Sequence, residues 1–109
     1  LGFSEAQKEE LNHLKTYVTR LLWNASIMLL RRKKVDFDYI SNQVERLATL
    51  VAECDKNQIE RIQRREGSTR VSILYYALTQ NCLDIAEETR NLLDIFGGSF
   101  KVDGNPTVR

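Results

Sequence analysis

The chain has 109 residues, of which 42% are hydrophobic and 28% charged, a composition typical of one globular domain. Its 16 Lys and Arg side chains exceed its 15 Asp and Glu by one, a net charge of +1 that disfavours nucleic-acid binding. Two cysteines are too few for a disulfide framework, and no apolar run is long enough for a membrane span. A single domain in a reducing compartment is expected, and composition alone assigns it no function.

The first predicted helix covers roughly residues 4–33. Ser4 followed three residues later by Gln7 has the spacing of a capping box, which is typical of a helix N-terminus. Apolar residues then recur three and four positions apart, which predicts one buried helical face. These residues are Leu11, Leu14, Val18, Leu21, Ala25 and Met28.

The second predicted helix begins at Asp36, an N-cap candidate, and repeats the same spacing. Its apolar positions are Ile40, Val44, Leu47, Val51 and Cys54. The pattern falters over residues 55–58 and resumes afterwards, so this stretch is expected to be solvated or locally irregular. Gly67 is predicted to cap the C-terminus of this helix, and Ser68 or Thr69 to begin the next one.

The third predicted helix has the clearest periodicity of the chain and ends at Gly97 and Gly98. The stripe predicted to be buried comprises Val71, Leu74, Leu78, Cys82, Ile85, Thr89, Leu92 and Phe96. Short connections between three long helices predict an all-α, up-down-up antiparallel three-helix bundle. We expect this bundle to occupy residues 4–96 and to be followed by a flexible C-terminal tail at residues 97–109.

Several large apolar side chains lie beside or off the three predicted stripes. They are Tyr17, Leu22, Trp23, Leu29, Leu30, Tyr75 and Tyr76. Three helices cannot readily bury this much apolar surface, because one side of such a bundle stays open. Self-association or docking onto a parent protein is therefore expected.

Groups suited to catalysis are scarce in this sequence. His13 is its one histidine and has no Cys or acidic partner at metal-ligand spacing. Cys54 and Cys82 fall on apolar stripes, where a free cysteine behaves as a small hydrophobe. Neither a glycine-rich phosphate loop nor a nucleophile elbow occurs. We expect no enzymatic activity and name no catalytic residues.

One acidic cluster has the geometry for metal binding. Asp84 and Glu88 share a helix face and, together with Glu87, could ligate a divalent or iron-group metal. A solvated acidic face balanced by Arg90 is the alternative. Facing ligands on a second helix are not identified, and Glu45 and Glu53 are only candidates.

Basic residues gather at the two ends of the predicted bundle. Arg31, Arg32, Lys33 and Lys34 lie at one end, and Arg61, Arg64, Arg65 and Arg70 at the other. Both groups could serve as interaction patches for phosphate, acidic lipid headgroups or an acidic partner. Complementation of the helix dipoles explains them without any partner.

Two segments of the chain resemble a known family. The sequences ERIQRREGSTRVSILYYAL at residues 60–78 and LDIAEETRNL at residues 83–92 are similar to the PhoU family of phosphate-uptake regulators. They are most similar to the PhoU-like cytoplasmic domain of bacterial sodium/phosphate cotransporters. The likeness extends upstream through LLRRKKVD at residues 29–36 and covers about residues 11–96.

The resemblance implies a three-helix bundle and, on its last helix, a metal-binding pattern of acid, three residues, acid, three residues, Asn. Here that pattern reads Leu83, Glu87 and Asn91, so Leu83 replaces the first acid. Asp84 lies one position further, which is 100° around the helix. The metal motif is therefore incomplete in this chain.

The function expected from the resemblance is that of a non-catalytic regulatory or interaction domain of a sodium-dependent phosphate transporter. It implies a place at the cytoplasmic face of the bacterial inner membrane, with the parent transporter and further copies of the chain as partners. No cofactor is expected apart from the metal considered above, and no nucleic acid. The alternatives are a stand-alone helical module that binds metal or responds to phosphate, and a small helical mutase such as the chorismate mutases. In the mutase, Arg20 would be the lone basic residue at the substrate.

Overall fold

The computed structural model describes the backbone of residues 2–31 and 37–104, and the side chains of residues 2–30 and 37–96. Its three helices are α1 (Glu5–Arg31), α2 (Phe37–Gln63) and α3 (Thr69–Gly104). Each helix packs against the other two, and the described part of the chain contains no strand. The predicted all-α three-helix bundle is confirmed, as a rod measuring 60 × 23 × 18 Å.

Two predicted helix starts are confirmed by their hydrogen bonds. At α1, the Ser4 backbone N–H donates to Gln7 Oε1 (2.8 Å), and the Gln7 backbone N–H donates to Ser4 Oγ (3.2 Å). This reciprocal pair is a capping box. At α3, the Val71 backbone N–H donates to Ser68 Oγ (3.2 Å), so Ser68 is the N-cap. The predicted N-cap at Asp36 lies outside the described residues.

The C-terminus of α2 differs from the prediction that Gly67 caps it. The Glu66 N–H donates to the Arg61 carbonyl (2.8 Å) and the Arg65 N–H to the Ile62 carbonyl (2.9 Å), which is the Schellman arrangement. Arg65 therefore takes the left-handed position that ends the helix, with φ 59°. Gly67 adds a second left-handed residue, with φ 77°, and redirects the chain toward α3.

Helix α3 continues through Gly97 and Gly98 and ends at Gly104, so the predicted helix stop is wrong. Glycine retains its backbone N–H and can adopt right-handed helical angles, at a cost of about 1 kcal/mol relative to alanine. Residues 97–104 of the predicted tail are thus part of the helix. Residues 105–109 lie outside the described chain.

The core confirms the predicted stripes of α1 and α2. Its buried α1 members are Leu14, Val18, Leu21 and Ala25, and those of α2 are Ile40, Val44, Leu47, Val51 and Cys54. Leu11 and Met28 are partly buried against this cluster. The two helices therefore use the faces that their spacing indicated.

The core side of α3 is not the predicted one. Of the eight residues in its predicted stripe only Val71 is buried, while Cys82 and Thr89 are partly buried. The other five, Leu74, Leu78, Ile85, Leu92 and Phe96, are exposed. The buried residues of α3 are Val71, Ser72, Tyr75, Thr79, Ala86 and Leu93. The buried hydroxyls of Ser72, Tyr75 and Thr79 all find hydrogen-bond partners.

Candidate functional site

An exposed apolar face runs along α3, formed by Leu74, Leu78, Ile85 and Leu92. These side chains are 50%, 41%, 45% and 47% exposed, respectively. Spacings of four and seven residues place them on one side of the helix, since a helix turns about 100° per residue. We call this set the α3 apolar face. It consists of residues that the sequence placed in the core.

The contacts of α3 show which side of the bundle this face occupies. Ser72, Thr79 and Arg90 all contact α2. Tyr75 meets Glu10 of α1 and Phe3 just before that helix, and it also contacts Cys54 and Arg61 of α2. Leu74, Leu78, Ile85 and Leu92 lie on the Tyr75 side of the buried surface by helix geometry. The α3 apolar face therefore lies on the side of α3 next to α1, and not on the side next to α2.

A polar cluster occupies the end of the bundle where α2 connects to α3. Its members come from all three helices and are Gln7, Glu10, Asn57, Gln58, Arg61, Ser72 and Tyr75. At its centre, Arg61 Nη2 lies 2.7 Å from Glu10 Oε1, and the two side chains are 9% and 19% exposed. The ion pair is thus largely withdrawn from water.

The remaining bonds of the cluster leave few polar atoms unpaired. Glu10 also accepts from Asn57 Nδ2 (2.9 Å) and Tyr75 Oη (2.5 Å). Gln58 Oε1 accepts from Arg61 Nε (2.7 Å) and from Gln7 Nε2 (2.9 Å), while Gln58 Nε2 donates to Ser72 Oγ (2.8 Å). Because these groups satisfy one another, the cluster fixes the relative positions of the helices and offers no open ligand site.

The electrostatics of the polar cluster favour the charged pair beside a neutral tyrosine. Burial alone would raise the pKa of Glu10, but hydrogen bonds from Arg61, Tyr75 and Asn57 outweigh it and hold that pKa below its usual value. The bond to Glu10 raises the pKa of Arg61. Burial, followed by the bond to Glu10, raises the pKa of Tyr75 far above its usual value. The Tyr75 hydroxyl therefore stays protonated and donates its hydrogen bond to Glu10 throughout the physiological range.

The polar cluster was not predicted from the sequence, although a signal for it was present. Arg61 follows Leu47 and Cys54 at intervals of seven on the buried stripe of α2. Glu10 stands four residues before Leu14, on the buried side of α1. Charged residues in register with an apolar stripe indicate a buried pair, provided that they lie at the same level of the bundle.

The basic patch predicted at the α2–α3 connection is only partly present. Arg61 is 7% exposed and is paired inside the bundle, so it is not part of a surface patch, and that assignment is corrected. Arg64 pairs with Glu66 at 2.6 Å on the surface. Arg65 and Arg70 are exposed. At the other end, Arg32, Lys33, Lys34 and the side chain of Arg31 lie outside the described residues.

The acidic residues predicted to ligate metal all lie on α3. Asp84 and Glu88 are exposed, and Glu87 is partly buried. Asp84 Oδ1 accepts a hydrogen bond from Gln80 Nε2 at 2.9 Å. Among the described residues, no three side chains of His, Cys, Asp or Glu come together as a metal site. Metal binding by these three residues stays a prediction.

Both cysteines are free thiols, Cys54 buried and Cys82 partly buried, as the apolar spacing predicted. Burial raises the pKa of each thiol.

A shallow depression of about 400 Å³ lies on the surface of α2, lined by Asn42, Glu45, Arg46 and Thr49. One helix supplies all four of these residues, so the depression lacks the converging walls of a small-molecule site.

Comparison with known proteins identifies no relative: no protein-family profile, curated protein or solved structure matches the chain. Within the described helices, none combines the length and the apolar character needed to cross a bilayer. The most distinctive surface feature of the described chain is therefore its exposed apolar side chains.

Proposed function

We propose that this chain is a non-catalytic interaction domain that binds a helical partner through the α3 apolar face. The observation that carries the proposal is the row of four large apolar side chains, each 41% to 50% exposed, along one side of α3. Exposed apolar patches bordered by polar residues are typical of interaction surfaces.

The total surface of the chain supports the same proposal. A compact monomer of 12.7 kDa exposes about 6,200 Å². This chain exposes 7724 Å². A rod measuring 60 × 23 × 18 Å has more surface for its volume than a compact sphere, and the exposed apolar side chains are part of that surface.

The spacing of the exposed residues favours a helix as the partner. Leu78, Ile85 and Leu92 recur every seven residues, as at one core position of a coiled coil. Asn81 and Glu88, three residues after Leu78 and Ile85, put polar groups at the other core position and are both exposed. A partner helix must therefore present apolar side chains opposite Leu78, Ile85 and Leu92. A polar or basic group opposite Glu88 would fix the register of the partner helix.

The transporter context of the proposal rests on the sequence resemblance alone. Residues 60–78 and 83–92 resemble the PhoU-like domain of sodium/phosphate cotransporters. On that basis the partner is the membrane part of a sodium-dependent phosphate transporter, and the domain regulates it from the cytoplasmic face of the bacterial inner membrane. A three-helix bundle is the fold that this resemblance implies.

The proposal is tested by binding of the purified domain to a detergent-solubilised sodium/phosphate cotransporter. The double variant Leu78→Asp/Ile85→Asp places two charges on the α3 apolar face and is expected to weaken binding at least a hundredfold. Ile73→Asp is the matched control, because Ile73 is 63% exposed but lies on another side of α3. Circular dichroism and urea unfolding verify that all three proteins are folded.

Two results would contradict this proposal. One is the absence of binding by the unaltered domain, and the other is equal loss of binding in the double variant and the Ile73 control. Light scattering of the domain alone is measured in parallel. A dimer that the double variant separates would assign the α3 apolar face to a second copy of the chain and overturn the transporter assignment.

A further inference from the structure

A second exposed apolar surface lies on the outer side of α1, opposite the buried stripe of that helix. Trp23 is 66% exposed and Leu30 is 83% exposed, the largest exposed fraction among the large hydrophobic residues of the described chain. They are seven positions apart and therefore share one side of the helix. Ile27, partly buried, lies between them. We call Arg20, Trp23, Ile27 and Leu30 the α1 outer face.

The charge of this part of α1 has only one sign. Between Leu11 and Leu30 the sequence contains Lys15 and Arg20 but no Asp or Glu. The next four residues in the sequence, 31–34, are all Arg or Lys. The acidic residues of α1, Glu5, Glu9 and Glu10, stand in its first two turns, at the opposite end. The α1 outer face therefore combines three apolar side chains with Arg20 and sits within a basic segment of the sequence.

These features match the chemistry of one partner, a bilayer surface that carries anionic lipids. Tryptophan prefers the headgroup region, where its ring contacts acyl chains while its N–H stays hydrated. Leucine inserts into the outer part of the hydrocarbon, and arginine contacts lipid phosphates from a long apolar stem. An acidic surface attracts nearby Lys and Arg without requiring a shaped groove.

We propose that the α1 outer face binds anionic membrane surfaces, with α1 lying parallel to the bilayer plane. From Arg20 to Leu30 the helix advances about 15 Å, so the four side chains reach the interface together. Few apolar side chains insert, so the binding is reversible and depends on anionic lipid. This inference goes beyond the proposed function, because it uses another helix surface and requires no transporter.

Trp23 is the single tryptophan of the sequence, so its fluorescence reports directly on this surface. The full chain is mixed with vesicles of equimolar phosphatidylglycerol and phosphatidylcholine, and separately with phosphatidylcholine vesicles. With the anionic vesicles the emission is expected to shift to shorter wavelength and to be quenched by brominated acyl chains. The neutral vesicles are expected to leave the emission unchanged, and high salt to reverse the shift.

Two variants that retain Trp23 test the residues beside it. Leu30→Ser is expected to reduce vesicle partitioning about tenfold, through the loss of inserted apolar surface. Arg20→Glu is expected to reduce it at least fivefold, since the charge near an acidic surface is reversed. The matched controls Ile73→Ser and Lys56→Glu change an exposed isoleucine on α3 and an exposed lysine on α2, and both should partition like the unaltered chain.

The inference is overturned if the anionic vesicles leave Trp23 emission unchanged, or if the controls lose as much partitioning as Leu30→Ser and Arg20→Glu. Equal partitioning into neutral vesicles would also overturn it. The double variant Leu78→Asp/Ile85→Asp should bind vesicles normally, because it alters only the α3 apolar face. Failure of the proposed transporter interaction and failure of lipid binding are therefore distinguishable.

Discussion

The Tyr75 hydroxyl on α3 donates a hydrogen bond to the Glu10 carboxylate on α1, across 65 positions of sequence. The Arg61 guanidinium of α2 contacts both residues, pairing with Glu10 and lying 5.3 Å from the centre of the Tyr75 ring. One carboxylate, one guanidinium and one phenol thus come from three different helices. This arrangement specifies how far each helix is shifted along its neighbours.

Removing the charge of Glu10 should strongly destabilise the bundle. Glu10→Gln leaves the Arg61 guanidinium with little exposure and without its carboxylate, which should lower the free energy of unfolding by about 2–3 kcal/mol. The double variant Glu10→Gln/Arg61→Met should recover part of this loss, because it leaves no unpaired charge. Urea unfolding followed by circular dichroism gives both values. Glu66→Gln, which breaks a surface pair, serves as the control and should change little. Equal effects at residues 10 and 66 would contradict the role of burial.

The bundle should lose stability in acid because of Glu10. Its pKa is lower in the folded chain than its ordinary value of 4.5. The stabilisation by its ionised form is therefore complete above pH 4.5 and is lost as the pH falls through the folded pKa. Unfolding free energies measured from neutral pH downward should show this decline. The decline should be smaller in Glu10→Gln, and an identical pH profile for that variant would contradict the assignment.

A second loss of stability is expected in alkali. The folded pKa of Tyr75 is raised above its ordinary value of 10.0, mainly by burial and then by its bond to Glu10. A raised pKa means that stabilisation is complete below pH 10.0 and is lost at higher pH. Cys54, whose pKa is raised from 9.0 by burial, adds to the loss. Tyr75→Phe should lower stability at neutral pH by about 1 kcal/mol but flatten the decline above pH 10.0. An equally steep decline would exclude Tyr75 as its source.

Truncating two adjacent leucines of α3 should change stability by very different amounts. Leu93 is fully buried, whereas Leu92 is 47% exposed. Leu93→Ala should destabilise the chain by about 3 kcal/mol, through lost burial and the cavity that remains. Leu92→Ala should stay within about 0.5 kcal/mol, since an exposed site leaves no cavity. Thermal or urea unfolding of the two variants tests which face of α3 is buried, and the reverse order would restore the face that the periodicity predicted.

Replacing the left-handed residue at the end of α2 should stabilise the chain. Arg65 has φ 59°, where a side chain with a Cβ is disfavoured by about 1 kcal/mol. Arg65→Gly should recover most of that cost, while Gly67→Ala, at φ 77°, should lower stability by a similar amount. Arg64→Gly is the control, because it removes the pair with Glu66 without relieving any strain. Melting temperatures should rank Arg65→Gly above the unaltered chain and the other two variants below it.

Local sequence patterns were sufficient to predict the three helices and two of their caps. Ser4 with Gln7, and Ser68, satisfy backbone groups only a few residues away, so their roles follow from neighbouring positions. The stripes of α1 and α2 were also predictable, because each helix has one clearly apolar side.

Helix α3 was harder to predict because two of its sides contain apolar residues. One has Leu74, Leu78, Ile85 and Leu92, and the other has Tyr75, Ala86 and Leu93. Periodicity identifies such faces but does not say which one meets α1 and α2. That choice depends on how closely the helices approach and on the partners available to Tyr75. The polar cluster was also not predicted, because it depends on how far the three helices are shifted along one another.

The position of the polar cluster at one end of the rod makes the two ends unequal in their motions. Gln7, Gln58 and Ser72 link all three helices there. In the other half of the rod, Arg90 links α3 to Glu45 and Ser41 of α2, and α1 contributes Asn24, 3.5 Å from Tyr39. Amide protons around Glu10 should exchange with solvent only when the whole bundle unfolds, and those around Trp23 should exchange through smaller local openings. Such openings let the C-terminal part of α1 move against a membrane surface while the polar cluster holds the three helices together at the other end.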